Sequence, residues 1–156
     1  MSIGWQAAVA SALHVLALAI GLPAIALRAR ALLAGDVVRA ERADNAWGIA
    51  AVLWISTGLW RLLWLEKGWA FYAAHWAFHA KMGVLVVIGV LELWPMAVLL
   101  RWRARVAWAK RHDEPPPPDP SSVVALGWVS AVETAGLCIM PFLAAAMARA
   151  LAPPFP

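Results

Sequence analysis

The sequence predicts an all-α integral membrane protein: a four-helix bundle of four transmembrane helices with both termini outside. Three observations carry this. Of 156 residues, 63% are hydrophobic and only 14% charged, with a mean hydropathy of +0.72, whereas soluble domains are roughly half apolar and a quarter charged. A water-soluble fold of this length has too little interior to hide so much apolar surface. Eleven tryptophans stand against one tyrosine, and indoles concentrate at both bilayer interfaces. Finally, the chain contains four apolar segments long enough for a hydrocarbon core of about 30 Å, which takes ~20 helical residues to cross. Helices are required because an open strand edge is unsatisfied in lipid and four strands cannot close a barrel.

The chain reads as one four-span domain, 1–156. The first span, about 5–27, carries no formal charge. The second, about 47–65, is interrupted only by Arg61. The third, about 79–100, contains Glu92 and Pro95, and the fourth, about 123–151, contains Glu133 and Pro141. Pro95 and Pro141 are expected to kink their spans. Residues 101–122 form a basic and then proline-rich loop. Its RWRARVAWAKRH stretch is expected to prolong the third helix beyond the membrane and to attract anionic lipid headgroups. EPPPPDP ends it, because proline lacks an N–H and restricts the residue before it.

Loop charge sets the expected orientation. Arg28, Arg30, Arg39 and Arg42 fall around the first connection, and Arg101, Arg103, Arg105, Lys110 and Arg111 follow the third span. These two regions hold most of the thirteen basic residues and are expected on the cytoplasmic side of a bacterial inner membrane. The net charge of +4 is thereby explained without nucleic acid. A cleaved signal peptide is not expected, since the charges follow the first apolar run. The single cysteine, Cys138, excludes an internal disulfide. No Ser–His–Asp arrangement, phosphate-binding glycine loop or zinc-hydrolase motif supports hydrolytic chemistry.

Ionisable residues within spans are costly in lipid and usually face the bundle interior, which makes them the functional candidates. At 1.5 Å per residue, His14 falls roughly 13 Å below the outer end of the first span and Arg61 roughly 6–9 Å below the same surface. His79 and Lys81, in the aromatic stretch WAFYAAHWAFHAKMG, open the third span at comparable depth. A shared pocket of His14, Arg61, His79 and Lys81 in the outer half is therefore expected. Neutral imidazoles can ligate haem iron axially, and Arg61, Lys81 or Lys67 could meet anionic propionates, so haem b is the cofactor considered. The same residues also read as interhelical hydrogen bonds and interface anchors. His75 and His79 at i, i+4 suit a copper or zinc ion, with Met82 and Glu66 as further donors. Glu92 and Glu133 are candidates either for carrying protons or for pairing helices, and Ser130 and Thr134 for packing.

The segments ALHVLALAIGLPAIALRARAL, ADNAWG, GLWRLLWLEKG and FHAKMG resemble an uncharacterised bacterial family of small four-span membrane proteins, DUF2214. More distantly, the first-span ALH with Arg28 and the later FHAKM are similar to HemJ-type protoporphyrinogen oxidases and CopD-like copper-resistance domains. That likeness implies haem at His14 with Arg28 and Lys81 important for function, and Glu92 stands near a place where the pattern carries another histidine. Three functions follow as expectations. The first is a haem-dependent membrane oxidoreductase active in redox or proton transfer. The second is a non-enzymatic accessory or assembly subunit, associated with another membrane protein or with its own copies. The third is periplasmic copper or other metal handling.

Overall fold

A computed structural model describes residues 3–65 and 72–150. Its helices are α1 (Ile3–Leu33), α2 (Val37–Trp60), α3 (Trp76–Arg111) and α4 (Val123–Ala150), with a π-helical turn, Arg61–Leu65, prolonging α2. All four are long and apolar enough to cross a membrane, so the protein is a four-span membrane protein in contact with the lipid bilayer. Large side chains point outward from every helix, including Ile20, Ile49, Val86 and Phe142. In water this surface would be unstable; in a bilayer it is the solvated face.

Two boundaries differ from the sequence expectation. The second helix begins at Val37, ten residues before Trp47, and α1 runs through Leu33. Arg28, Arg30, Arg39 and Arg42 are thus helical, and only Ala34–Asp36 connects the two helices. Hydropathy missed this because charged residues end an apolar run without ending a helix. Gly35 makes the turn at φ 75°, a left-handed conformation that glycine adopts without steric penalty. Asp36 then caps α2 by accepting a hydrogen bond from the Arg39 N–H at 2.9 Å, satisfying one of the orphan donors of the first turn. As the sequence predicts, α3 continues through the basic stretch to Arg111 and the proline run is non-helical. Helices α3 and α4 run on through Pro95 and Pro141.

Helix α1 is the centre of the packing: it lies against α2 and α4, and α4 lies against α3. By contrast, α2 and α3 are not packed closely along their lengths. Position along the helices divides the interior into layers. At the α1–α2 turn end, Ala31, Leu32, Val37, Ala40, Leu99, Trp102, Val123 and Leu126 form one apolar layer. A second apolar layer contains Ala17, Ile25, Trp47, Trp54, Ile88, Leu137 and Met140. Between them, on every helix, lies a charged or polar side chain.

Small residues set the close approaches. A Cβ on Gly127 would lie 2.8 Å from Leu33 Cγ and 3.0 Å from its backbone N, whereas a Cβ on Gly48 would meet nothing within 4 Å. Gly127→Ala is expected to lose about 1–3 kcal/mol of stability through overpacking. Gly48→Ala should instead hold or raise stability, by up to about 1 kcal/mol of helix propensity. Thermal unfolding of the two variants in the same detergent measures the difference.

Candidate functional site

The layer between the two apolar clusters is built around Arg28, whose side chain is fully buried. Its Nε donates to Ser130 Oγ at 3.0 Å. Nη1 donates to Asp44 Oδ1 at 2.7 Å and to Glu92 Oε1 at 2.7 Å. Nη2 donates to Glu92 Oε2 at 2.6 Å and to Glu133 Oε2 at 2.7 Å. A guanidinium has five N–H groups in a planar fork, and each has an acceptor here. The Glu92 pair is bidentate, the strongest form of this contact. Asp44 is on α2, Glu92 on α3 and Ser130 and Glu133 on α4, so one side chain from α1 ties together all four helices.

A second cation adjoins the first. Arg103 on α3 lies 2.9 Å from Glu41 Oε1 and 3.4 Å from Asp44 Oδ2, and donates from Nη1 to Asn45 Oδ1 at 2.8 Å. These contacts close the α2–α3 seam at the turn end. A cavity of about 190 Å³ opens at the opposite end. Its wall includes His14 from α1, Trp54 and Gly58 from α2, Arg61 from the π-helical turn, Phe78, Lys81 and Met82 from α3, and Met147 from α4.

His14 is held in one orientation. Its Nδ1 is 2.9 Å from the Trp54 carbonyl oxygen and 3.1 Å from Thr57 Oγ1, and its ring stacks on the Trp54 indole at 5.4 Å and 22°. A carbonyl only accepts, so Nδ1 is the donor, and in the neutral ring Nε2 keeps its lone pair. Thr57 Oγ1 lies 2.7 Å from the Leu53 carbonyl and donates its hydrogen there, which leaves its lone pairs for the imidazole. Gly58 makes room: a Cβ there would stand 3.0 Å from His14 Cε1. The indole N–H of Trp54 is buried with no partner among the described residues, an unmet donor of the kind that ligands or water normally satisfy.

The expected pocket of His14, Arg61 and Lys81 is thus brought together, but without its fourth member. The His79 Nε2 is 2.8 Å from the Ala73 carbonyl, and His79 does not line the cavity. Arg28 lies in the ionic layer, not with His14. The paired metal site also loses its geometric premise: His75 precedes α3 in extended backbone at φ −108° and ψ 123°, so only His79 has helical geometry. Among the described residues, no three His, Cys, Asp or Glu side chains are grouped to hold a metal ion. Glu66 and Lys67 lie outside the described residues.

Glu92 and Glu133 do meet, and they do so at a group that the sequence placed in a loop. Asp44 was hidden by the late start assigned to the second span. Ser130 is a ligand of the guanidinium, whereas Thr134 donates to the Ser130 carbonyl at 2.7 Å. Polar residues recurring one per helix at similar depth were the available signal, once Asp44 is counted as helical.

Fold and site together define a small four-helix membrane protein with a buried ionic layer and a polar-headed cavity. A family described as predicted membrane proteins, DUF2214, matches residues 6–152, and the chain belongs to that family. No curated protein and no solved structure matches it, and no comparison shows the expected HemJ-type or CopD-like similarity.

The ionic layer is open to a direct test. Arg28→Met leaves three carboxylates around an apolar side chain and is expected to cost about 3–5 kcal/mol, the range for breaking a buried pair from one side. Asp36→Ala, which removes a surface cap, should cost about 1 kcal/mol. Unfolding of both variants in one detergent, against wild type, checks the ratio.

Proposed function

We propose that the protein binds a membrane-borne amphipathic molecule whose polar head enters the His14 cavity through the α2–α3 seam. The observation that carries this reading is the combination of an oriented His14 Nε2 with Arg61 and Lys81 in one otherwise apolar cavity. Cations suit anionic oxygens, and a bare imidazole nitrogen suits an O–H or N–H donor or a metal centre. A head group carrying both features is the matching chemistry. Its apolar body would remain in the bilayer, beside Leu59, Leu62 and Leu85.

Haem b is the second reading, favoured by the His14 geometry. An axial histidine usually has its other nitrogen fixed by a carbonyl or carboxylate, and Arg61 and Lys81 suit propionates. Bound haem would supply electron transfer or oxygen chemistry. The donor set fits, but about 190 Å³ falls below the roughly 300–1,000 Å³ of pockets that enclose drug-sized or cofactor ligands. The macrocycle is not enclosed by this cavity. The basic residues on α1, α2 and the end of α3 support an inner-membrane protein with the ionic layer towards the cytoplasm and the cavity towards the periplasm.

Thermal unfolding with α-hydroxypalmitate, its methyl ester and palmitate separates charge from donor recognition. The hydroxy acid should raise Tm most, the acid alone less and the ester least, since only a ligand that prefers the folded state stabilises it. In Arg61→Gln/Lys81→Gln the acid and ester should become equal, and in His14→Ala the two acids should. Equal Tm values for all three ligands on wild type would remove the reading. Appearance of a Soret band on adding haem, lost in His14→Ala, would select the second.

A further inference from the structure

The ionic layer carries more negative than positive charge. Arg28 faces Asp44 from α2, Glu92 from α3 and Glu133 from α4, and the nearest additional cation, Arg103 of α3, reaches Asp44 and Glu41 of α2. Arg28 with Glu92 forms a bidentate pair, and Arg103 makes one contact to Asp44 at 3.4 Å and one to Glu41 at 2.9 Å. Of the three carboxyls on Arg28, Glu133 is the one that, among the described residues, has neither a bidentate pair nor a contact to Arg103. It shares Arg28 Nη2 with Glu92, and its two partners there lie at 2.7 Å and 2.6 Å from that nitrogen.

A second observation concerns the other oxygen of Glu133. The side chain is fully buried, and Oε1 has no hydrogen-bond partner among the described residues. An ionised carboxylate with one oxygen bare inside an apolar bundle is among the most costly arrangements a membrane protein can hold. A neutral carboxyl in the same place loses little: Oε2 still accepts from Arg28, and the uncompensated charge is gone. Ser130, its neighbour one turn earlier, is engaged with Arg28 Nε and brings no charge.

We propose that Glu133 is a proton-binding site: it holds one exchangeable proton while Arg28 joins the four helices, reached from the Asp44–Glu92 side of the layer. The side chains of Asp44 and Glu92 are 12% and 20% exposed, whereas those of Arg28 and Glu133 are 0% exposed. Proton exchange therefore runs past Glu92, whose Oε2 shares a nitrogen with Glu133 Oε2. Uptake adds H⁺ to one carboxylate oxygen of Glu133 and leaves every covalent bond intact. The site is independent of the His14 cavity, from which the second apolar layer separates it.

Infrared spectroscopy of the full-length protein in lipid reads the proton directly. A protonated-carboxyl C=O band, shifted in D₂O, is expected at neutral pH in wild type, lost in Glu133→Gln and kept in Glu92→Gln and Asp44→Asn. Glu133→Gln mimics the neutral acid, so its Tm should match wild type, while Glu92→Gln, which breaks the bidentate pair, should lower it. The wild-type band also answers without any variant: its absence at neutral pH overturns the proposal, as does its survival in Glu133→Gln. Loss of the band in Glu92→Gln alone would place the proton on Glu92 and overturn it equally.

Discussion

One guanidinium organises this protein. In lipid, each of Arg28, Asp44, Glu92 and Glu133 is a liability on an isolated helix, because a charge at depth has no water to solvate it. Brought together, they satisfy five donors with four side chains from three helices. The arrangement is therefore cooperative: leaving out any one helix strands charge on the others. Apolar packing between lipid-facing helices has little hydrophobic drive of its own. The ionic layer supplies what packing cannot, a fixed register of all four helices about a single point.

That register shapes the rest of the bundle. Because α1 donates the arginine, α1 is central, with α2 and α4 against it. Arg103 reinforces the α2–α3 junction on the same side of the layer, next to Glu41, Asp44 and Asn45. Towards the other end lies the cavity, walled by residues of all four helices. His14 reaches across from α1 and is fixed by Trp54 and Thr57, with Gly58 yielding the space. The cavity at one end and the ionic clamp at the other are thus separate features of the same four helices.

Much of the architecture was legible from residue type alone. Hydropathy identified four spans, and the basic run after the third continued as helix until the prolines stopped it. Depth arithmetic alone put His14, Arg61 and Lys81 within one cavity. It failed for His79 because depth ignores rotation about the helix: two residues before Lys81, the ring faces the Ala73 carbonyl. It failed for Arg28 and Asp44 because hydropathy treats charge as the end of a span. In this bundle the charges are inside, neutralised by partners that are far away in sequence.

The sequence by itself determined the solvent, the number of helices and which polar groups had to find partners, since these follow from composition and from the energetic cost of charge in lipid. Only the tertiary structure decided who the partners are. Arg28 finds Glu92 and Glu133 across 64 and 105 positions of chain, and no local periodicity encodes such a meeting. Helix rotation and register choose it, and those are fixed only when all four helices satisfy the same arginine at once.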